Sequence, residues 1–167
     1  MSLALFRHAE PVEARPAIIA VMLTLACGID AIEIERVART LARHPERFLR
    51  RVYTEVEVAY CRGRIRELAA RFAAKEAMMK ALGTGVRGVG WREIEVLPDR
   101  RGKPLIYLHG RAEERAKALG MGPPEVSMTH SDQLALAFVV VACNASAVDY
   151  EAARAALVDR LKRRGLL

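Results

Sequence analysis

The pattern of apolar and polar residues predicts two long helices in the first half of this chain. From Ile32 to Arg43, apolar side chains recur at helical spacing between Glu and Arg residues, and a second helix is expected from Glu67 to Leu82. Asp30 is a candidate N-cap of the first helix, and Pro45 is expected to close it. The second helix is rich in Ala, Met, Glu and Lys and is followed by Gly83, a typical residue after a helix end.

Shorter helices are expected elsewhere. Thr54 and Glu57 have the spacing of a capping box, which predicts a short helix from Thr54 through Tyr60 after a basic segment at 47–51. A further helix is predicted from Arg111 to Leu119. A terminal helix, capped by Ser146 or Asp149, is indicated by an apolar stripe of Tyr150, Ala153, Leu157 and Leu161.

Five segments have the apolar runs or the alternation of β-strands. The turn at 98–103 joins the second and third of them as a hairpin. Because the strands do not alternate regularly with helices, the fold class is predicted to be α+β. The five strands are expected at Leu23 to Ile29, Glu93 to Leu97, Pro104 to Leu108, Glu125 to Thr129 and Leu134 to Ala142.

The length of 167 residues is enough for one core and too short for two ordinary domains. We expect a leader at 1–21, one domain at 22–143 and a C-terminal helical extension at 144–167. The three cysteines form no C-x-x-C pair, which favours reduced thiols in a cytoplasmic protein over a disulfide or zinc framework.

The apolar run from Ala17 to Ile29 allows a second interpretation as a targeting segment. Two observations oppose it. Glu10 and Glu13 interrupt the positive region that a signal peptide needs, and the run is shorter than the about 20 residues of a membrane span. We therefore expect no membrane segment, and a leader that runs directly into a buried first strand.

The net charge of +7 and the isoelectric point near 9.8 predict an anionic partner. Nucleic acid, a phosphate-rich cofactor and an acidic protein all satisfy this condition, so charge alone does not choose among them.

Three charged residues are candidates for chemistry. Glu76 and Lys80 lie four apart and share one helix face, where an ordinary solvated ion pair is the alternative interpretation. Asp30 follows a buried strand, where a simple helix cap is the alternative. If Asp30 and Glu76 converge, they supply two hard oxygen ligands suited to Mg²⁺, and Lys80 would neutralise phosphate charge nearby.

Weaker signals come from a histidine and two glycine-containing loops. His130 is expected at a turn between strands, where it could reach a phosphate or ribose oxygen or could simply be a surface residue. The loops that begin at Gly83 and at Gly102 offer backbone N–H groups, but neither matches a known phosphate-binding motif.

Together these segments resemble the holo-acyl-carrier-protein synthase family of 4′-phosphopantetheinyl transferases. Each segment is weak by itself, and the ordered set is specific. It covers about residues 23 to 142. The matching segments are Gly28-Ile29-Asp30-Ala31-Ile32-Glu33-Ile34-Glu35-Arg36, Arg47-Phe48 to Thr54 and Glu57, Arg71-Phe72-Ala73-Ala74-Lys75-Glu76-Ala77, Lys80-Ala81-Leu82-Gly83-Thr84-Gly85, Trp91-Arg92-Glu93-Ile94-Glu95-Val96, Gly102-Lys103-Pro104 and Ser127-Met128-Thr129-His130.

The resemblance implies transfer of 4′-phosphopantetheine from coenzyme A to a serine of an apo acyl carrier protein, with release of adenosine 3′,5′-bisphosphate. It implies a fold of antiparallel strands packed on a long helix, and Mg²⁺ held by Asp30 and Glu76. Glu76, directly or through a metal-bound water, is the candidate base for the serine proton, with Asp30 as its competitor. The coenzyme is expected to contact Arg71, Lys80, Gly83, Gly102, Pro104 and His130.

The resemblance also implies a homotrimer with its site between neighbouring subunits. The acidic carrier protein is expected to dock on a basic face, for which a solvated helix surface is the alternative interpretation. A nucleic-acid-binding module is disfavoured because aromatics are only 5% of the chain, and a non-catalytic scaffold is disfavoured by the intact candidate residues. The docking residues are predicted to be Arg36, Arg47, Arg50 and Arg51.

Overall fold

The computed structural model describes residues 24–144 and 150–167. Within them, five strands and seven helices confirm the α+β class. In chain order they are β1 (Thr24–Glu33), α1 (Ile34–Arg43), α2 (Pro45–Val52), α3 (Glu55–Cys61), α4 (Ile65–Ala81), α5 (Gly85–Gly88), a 3₁₀ turn (Trp91–Glu93), β2 (Ile94–Pro98), β3 (Pro104–Leu108), α6 (Gly110–Ala118), β4 (Glu125–His130), β5 (Leu134–Cys143) and α7 (Tyr150–Arg163).

Two antiparallel sheets lie on the long helix α4. The larger sheet has the strand order β1-β5-β4, and the smaller one is the β2-β3 hairpin. Most of α4 is buried, because β1 covers one side of it at Gly28 and β2 covers another side at Arg71. The expected packing of antiparallel strands on a long helix is confirmed.

The larger sheet has one buried face and one exposed apolar face. Ile32 of β1 and Val139 of β5 belong to the core, as the two-residue period of strands requires. The opposite face exposes large apolar side chains that include Ile29 and its cross-strand partner Phe138. A folded chain rarely leaves such a patch in water without a partner.

Two details of the first helices differ from the sequence prediction. The strand β1 continues to Glu33, so the cap of α1 is Glu33, and Asp30 lies within the strand opposite Ala137. Pairing with β5 outweighs the capping preference of an aspartate. Pro45 begins α2 instead of only ending α1, because a proline at the first helical position loses no helical hydrogen bond. The basic segment at 47–51 is therefore helical.

Other local predictions are confirmed. The capping box of Thr54 and Glu57 begins α3, and Gly83 follows α4 with a positive φ of 67°. The terminal helix is α7, and its Leu157 is exposed. No helix in 24–144 or 150–167 is long and apolar enough to cross a membrane. The predicted leader at 1–21 and the predicted caps Ser146 and Asp149 lie outside the described residues, and the domain boundaries stay predictions.

Candidate active site

A close approach between β1 and α4 positions the candidate site. A Cβ atom on Gly28 would lie 1.9 Å from the carbonyl oxygen of Ala77 in α4, so only glycine lets the two backbones come so near. Asp30 lies two residues further along β1 and therefore faces the same side of the strand. The glycine thus brings the Asp30 carboxylate against α4.

Lys80 joins α4 to this strand. Its Nζ donates to Asp30 Oδ1 at 2.9 Å and to the carbonyl oxygen of Ile29 at 2.6 Å. The Asp30 side chain is 12% exposed, whereas that of Lys80 is 51% exposed. The ammonium group is therefore held at a half-buried carboxylate while one side of it remains open to solvent. Lys80 is therefore paired with Asp30 of another element. The alternative interpretation of the sequence was an ordinary pair between Glu76 and Lys80 along the helix.

Glu76 completes a group of two carboxylates and one ammonium. Its half-buried side chain lies next to that of Asp30. Burial, and then the nearby negative charge of Asp30, raise the pKa of Glu76 above its ordinary value, while Lys80 and Arg36 oppose this shift. The structure therefore brings together Asp30, Glu76 and Lys80, which the sequence nominated from separate elements, and we call them the acidic–lysine group.

The acidic–lysine group has the donor chemistry of a Mg²⁺ site. Two carboxylates that repel each other gain from a shared cation, and hard oxygen ligands suit Mg²⁺. The part of the chain that the structure describes contains no cluster of three or more His, Cys, Asp or Glu side chains placed to hold a metal. A Mg²⁺ ion here would therefore need further ligands from water or substrate phosphate, which is the usual situation for this metal.

The predicted coenzyme contacts outside this group lie on separate elements. Gly83 ends α4, Gly102 lies in the β2-β3 turn with a φ of 90°, and Pro104 begins β3. His130 is exposed at the end of β4. Their contacts with coenzyme A stay predictions.

Arg71 has partners within the protein. Its side chain is 3% exposed, and its Nε donates to the carbonyl oxygen of Val96 at 3.1 Å. Its Nη1 donates to the Glu67 carboxylate at 2.8 Å. A contact of Arg71 with coenzyme A stays a prediction, but these bonds give the guanidinium a structural role in holding β2 to α4.

The predicted carrier-docking arginines are exposed on two consecutive helices. Arg36 lies on α1, and the charge of its guanidinium acts on Glu76 to lower the pKa of that carboxyl. Arg47, Arg50 and Arg51 lie on α2. Arg36 is therefore the arginine of this set that the structure ties most directly to the acidic–lysine group.

Sequence reasoning missed a buried ion pair. Lys75 and Glu57 have no exposed side-chain surface, and the Lys75 Nζ donates to Glu57 Oε2 at 2.8 Å. The sequence signal that could have indicated the burial of Lys75 is its position in a run of alanines. A solvated lysine would not be expected there on a helix that is covered from two sides. The role of Gly28 was also missed, although the glycine two residues before Asp30 was visible.

The sequence profile of the 4′-phosphopantetheinyl transferase superfamily matches residues 26–139. This chain belongs to that superfamily. The resemblance deduced from the ordered segments is thereby confirmed, and the protein is a transferase.

Individual relatives agree with this assignment. Holo-[acyl-carrier-protein] synthase of Herpetosiphon aurantiacus is 50% identical over 123 residues, which are 70% of this chain and 97% of the relative. The corresponding enzyme of Moorella thermoacetica is 49% identical over 120 residues, which are 70% of this chain and 93% of the relative. Helicobacter pylori holo-[acyl-carrier-protein] synthase, solved in complex with coenzyme A, superposes with a TM-score of 0.64 at 29% identity over 69% of this chain and 98% of that one.

Proposed function

We propose that this chain is a holo-[acyl-carrier-protein] synthase, which transfers 4′-phosphopantetheine from coenzyme A to a serine of an apo acyl carrier protein. The observation that carries the proposal is the convergence of Asp30, Glu76 and Lys80, in a chain whose relatives carry this name. The coenzyme A complex of the Helicobacter pylori enzyme supports coenzyme A as the donor.

Asp30 and Glu76 would hold Mg²⁺ at the coenzyme A pyrophosphate. The ion, when bound, supplies positive charge that neutralises the phosphate oxygens. Lys80 contributes a second positive charge from one helical turn away, and its exposed side is directed to solvent where the donor can enter. Transfer at phosphorus depends mainly on positioning and charge neutralisation, which these three side chains provide.

In the reaction, the serine oxygen of the carrier attacks the phosphorus that bears pantetheine. A new phosphorus–oxygen bond forms to serine, and the bond to adenosine 3′,5′-bisphosphate breaks with its electron pair leaving on that product. The serine proton needs an acceptor, which we assign to Glu76, with Asp30 as its competitor. Burial and the Asp30 charge already increase the proton affinity of the Glu76 carboxylate.

We further propose that the protein works as a homotrimer. The exposed apolar face of the β1-β5-β4 sheet supports this assembly, because a second copy would remove it from water. Contributions from a neighbouring subunit would also explain why Gly102, Pro104 and His130 lie on elements other than those of the acidic–lysine group.

An acidic carrier protein would dock on α1 and α2. Arg36, Arg47, Arg50 and Arg51 supply an exposed basic surface. The effect of the Arg36 charge on the pKa of Glu76 supports a location of this surface next to the proposed reaction site. Opposite charges on the two proteins would mainly increase the rate of encounter. We place the enzyme in the cytoplasm, where its three free thiols would stay reduced.

The activity is tested by incubating the full chain with coenzyme A, Mg²⁺ and an apo acyl carrier protein, and by following the carrier by mass spectrometry. We expect a mass increase equal to one phosphopantetheine group on a single serine. No increase with several different carriers would overturn the proposed function. Binding of nucleic acid without transfer would favour the nucleic-acid module instead.

The role of Glu76 is tested by Glu76→Gln at saturating Mg²⁺. We expect turnover to fall by about 10²-fold or more, because the amide cannot accept the serine proton. Glu35→Gln is the matched control, since Glu35 is an exposed carboxylate paired with Arg39 on α1. Near-normal turnover of Glu76→Gln would show that another group accepts the proton.

A further inference from the structure

The rotation of α4 about its axis matters, because the acidic–lysine group depends on it. Six of the eleven buried residues of α4 are alanines, whose burial is nearly the same in several rotational settings. Leu68, Met78 and Met79 are also buried, and Gly28 of β1 lies against Ala77. Hydrogen bonds depend on direction as well as distance, so they restrict the rotation more strictly than these apolar contacts do. The buried alanines are Ala69, Ala70, Ala73, Ala74, Ala77 and Ala81.

The buried ion pair between α3 and α4 has the required specificity. The ammonium group of Lys75 donates to the Glu57 carboxylate, to the carbonyl oxygen of Trp91 at 3.0 Å and to that of Ile94. Each of its three donors is therefore directed to one acceptor. Neither side chain has any contact with solvent. A small rotation of α4 would break several of these bonds at once.

Glu57 ties the same pair to the smaller sheet. Its Oε1 accepts from the backbone N–H of Val96 at 2.9 Å, and its Oε2 also accepts from the N–H of Thr54 at 2.8 Å. One turn before Lys75, Arg71 donates to the carbonyl oxygen of Val96. We call Glu57, Arg71 and Lys75 the clamp. It joins α3 and α4 to β2.

The clamp and the acidic–lysine group lie on different sides of one helix. At about 100° per residue, Lys75 and Arg71 are displaced by about 100° to about 180° from Glu76 and Lys80 around α4. A rotation of about 20° would move atoms at the helix surface by about 2 Å. Displacement of a catalytic group by about 1 Å is enough to cost about 10²-fold in rate.

We propose that the Glu57–Lys75 ion pair is a positioning device that fixes the rotation of α4, so that Glu76 and Lys80 face Asp30. Stability alone does not require charges at this place, since well-packed uncharged residues of similar volume are often as stable as a buried ion pair. The pair acts through helix position and touches no substrate. This inference rests on the proposed function for the location of the reaction.

The test is the double variant Glu57→Gln/Lys75→Met, which removes both charges and keeps the volumes similar. We expect its Tm to stay within about 4 °C of the parent, its kcat to fall at least about tenfold, and its KM for coenzyme A to change less than about threefold. The exposed pair Glu113 and Lys117 on α6 provides the matched control, Glu113→Gln/Lys117→Met, for which no change is expected. A double variant with normal kcat would overturn the inference.

A second variant covers the case in which the double variant does not fold. Glu57→Asp keeps both charges but shortens one arm of the pair, so α4 must move or the bond to Lys75 must lengthen. We expect kcat to fall while the thermal transition stays cooperative, and a crystal structure should show α4 rotated relative to β1. Unchanged kcat in Glu57→Asp would overturn the inference. An inactive parent enzyme would instead contradict the proposed function.

Discussion

Gly28 allows the backbone of β1 to lie against α4, and the position of Asp30 depends on that contact. The nearest atoms that a Cβ on Gly28 would meet belong to the α4 backbone and to Cβ of Lys80, and none of them can rotate away. A side chain at this position therefore has to move the strand or the helix. The absence of a side chain at Gly28 thus controls the distance between Asp30 on β1 and the Glu76 and Lys80 side chains on α4.

Gly28→Ala is expected to destabilise the protein by about 1–3 kcal/mol, because the added methyl group overpacks the contact between β1 and α4. Transfer activity should fall further than this loss of stability explains, since Asp30 moves with β1. Thermal unfolding and the transfer assay measure the two effects. Gly122→Ala is the control, as a Cβ there would lie 3.7 Å from its nearest neighbour. Equal stability of the two variants would contradict the close approach.

Cys61 provides a pH-dependent contribution to stability. Burial raises the pKa of this thiol to about 11 from its ordinary value of 9.0, with Arg71 opposing the shift. Because the folded state holds the proton more tightly than the unfolded state, the contribution is complete below pH 9. It is lost as pH rises to about 11.

The free energy of unfolding of the parent, measured against Cys61→Ala between pH 8 and pH 11, tests this behaviour. We expect the advantage of the parent over Cys61→Ala to decrease by about 2 kcal/mol across this range. A constant difference between parent and Cys61→Ala would show that the thiol titrates normally.

At the scale of elements, α4 is held between two sheets and presents a different chemistry to each. Toward β1 it places Glu76 and Lys80, and toward β2 it places Arg71 and Lys75. The backbone carbonyls of β2 at this edge accept from side chains of α4, which prevents them from pairing with another strand. The same helix therefore supports the fold on one side and the proposed reaction site on the other.

The basic helices α1 and α2 carry the proposed docking surface for the carrier protein. Arg36→Glu is expected to raise the KM for the carrier protein about tenfold at low salt and to leave coenzyme A binding nearly unchanged, because charge reversal slows encounter with an acidic partner. Steady-state kinetics with each substrate varied in turn will separate the two effects. Lys117→Glu on α6 changes the net charge equally and serves as the control. Equal losses for both substrates would argue against docking at Arg36.

At the scale of the whole molecule, the outer face of the larger sheet is the surface that the proposed homotrimer would cover. Its exposed apolar residues lie on two adjacent strands, β1 and β5, and so form one continuous patch. They are Leu25, Ile29, Leu134, Leu136 and Phe138. Burial of this patch between copies would stabilise the assembly at about 25 cal/mol per Å² before the cost of association is subtracted.

Phe138→Glu tests the homotrimer. A charge at the centre of the patch should dissociate the assembly, and light scattering should then give the mass of one chain instead of three. Activity should fall with it if the neighbouring subunit completes the coenzyme site. Tyr107→Glu on β3 is also an exposed aromatic position and should leave the mass unchanged. A parent protein that already has the mass of one chain would contradict the proposed assembly.

The sequence by itself determined the class, the order of the elements and the family of this protein. Local signals such as the Thr54 capping box, the glycine after α4 and the strand alternation depend on neighbours in the chain, so they can be recognised without a structure. The order of the matching segments then identified Asp30, Glu76 and Lys80 as candidates. It left open the alternative that Glu76 and Lys80 form a surface ion pair and that Asp30 is a helix cap.

Only the tertiary structure decided that question. Asp30 lies in a strand because pairing with β5 extends β1 past the position where the local signal favours a cap. Lys75 and Glu57 are buried because β2 and α3 cover that side of α4. Nothing in a lysine residue by itself indicates from the sequence that other elements will cover it. Contacts between residues distant in the chain depend on how the elements pack, and local preference does not contain that information.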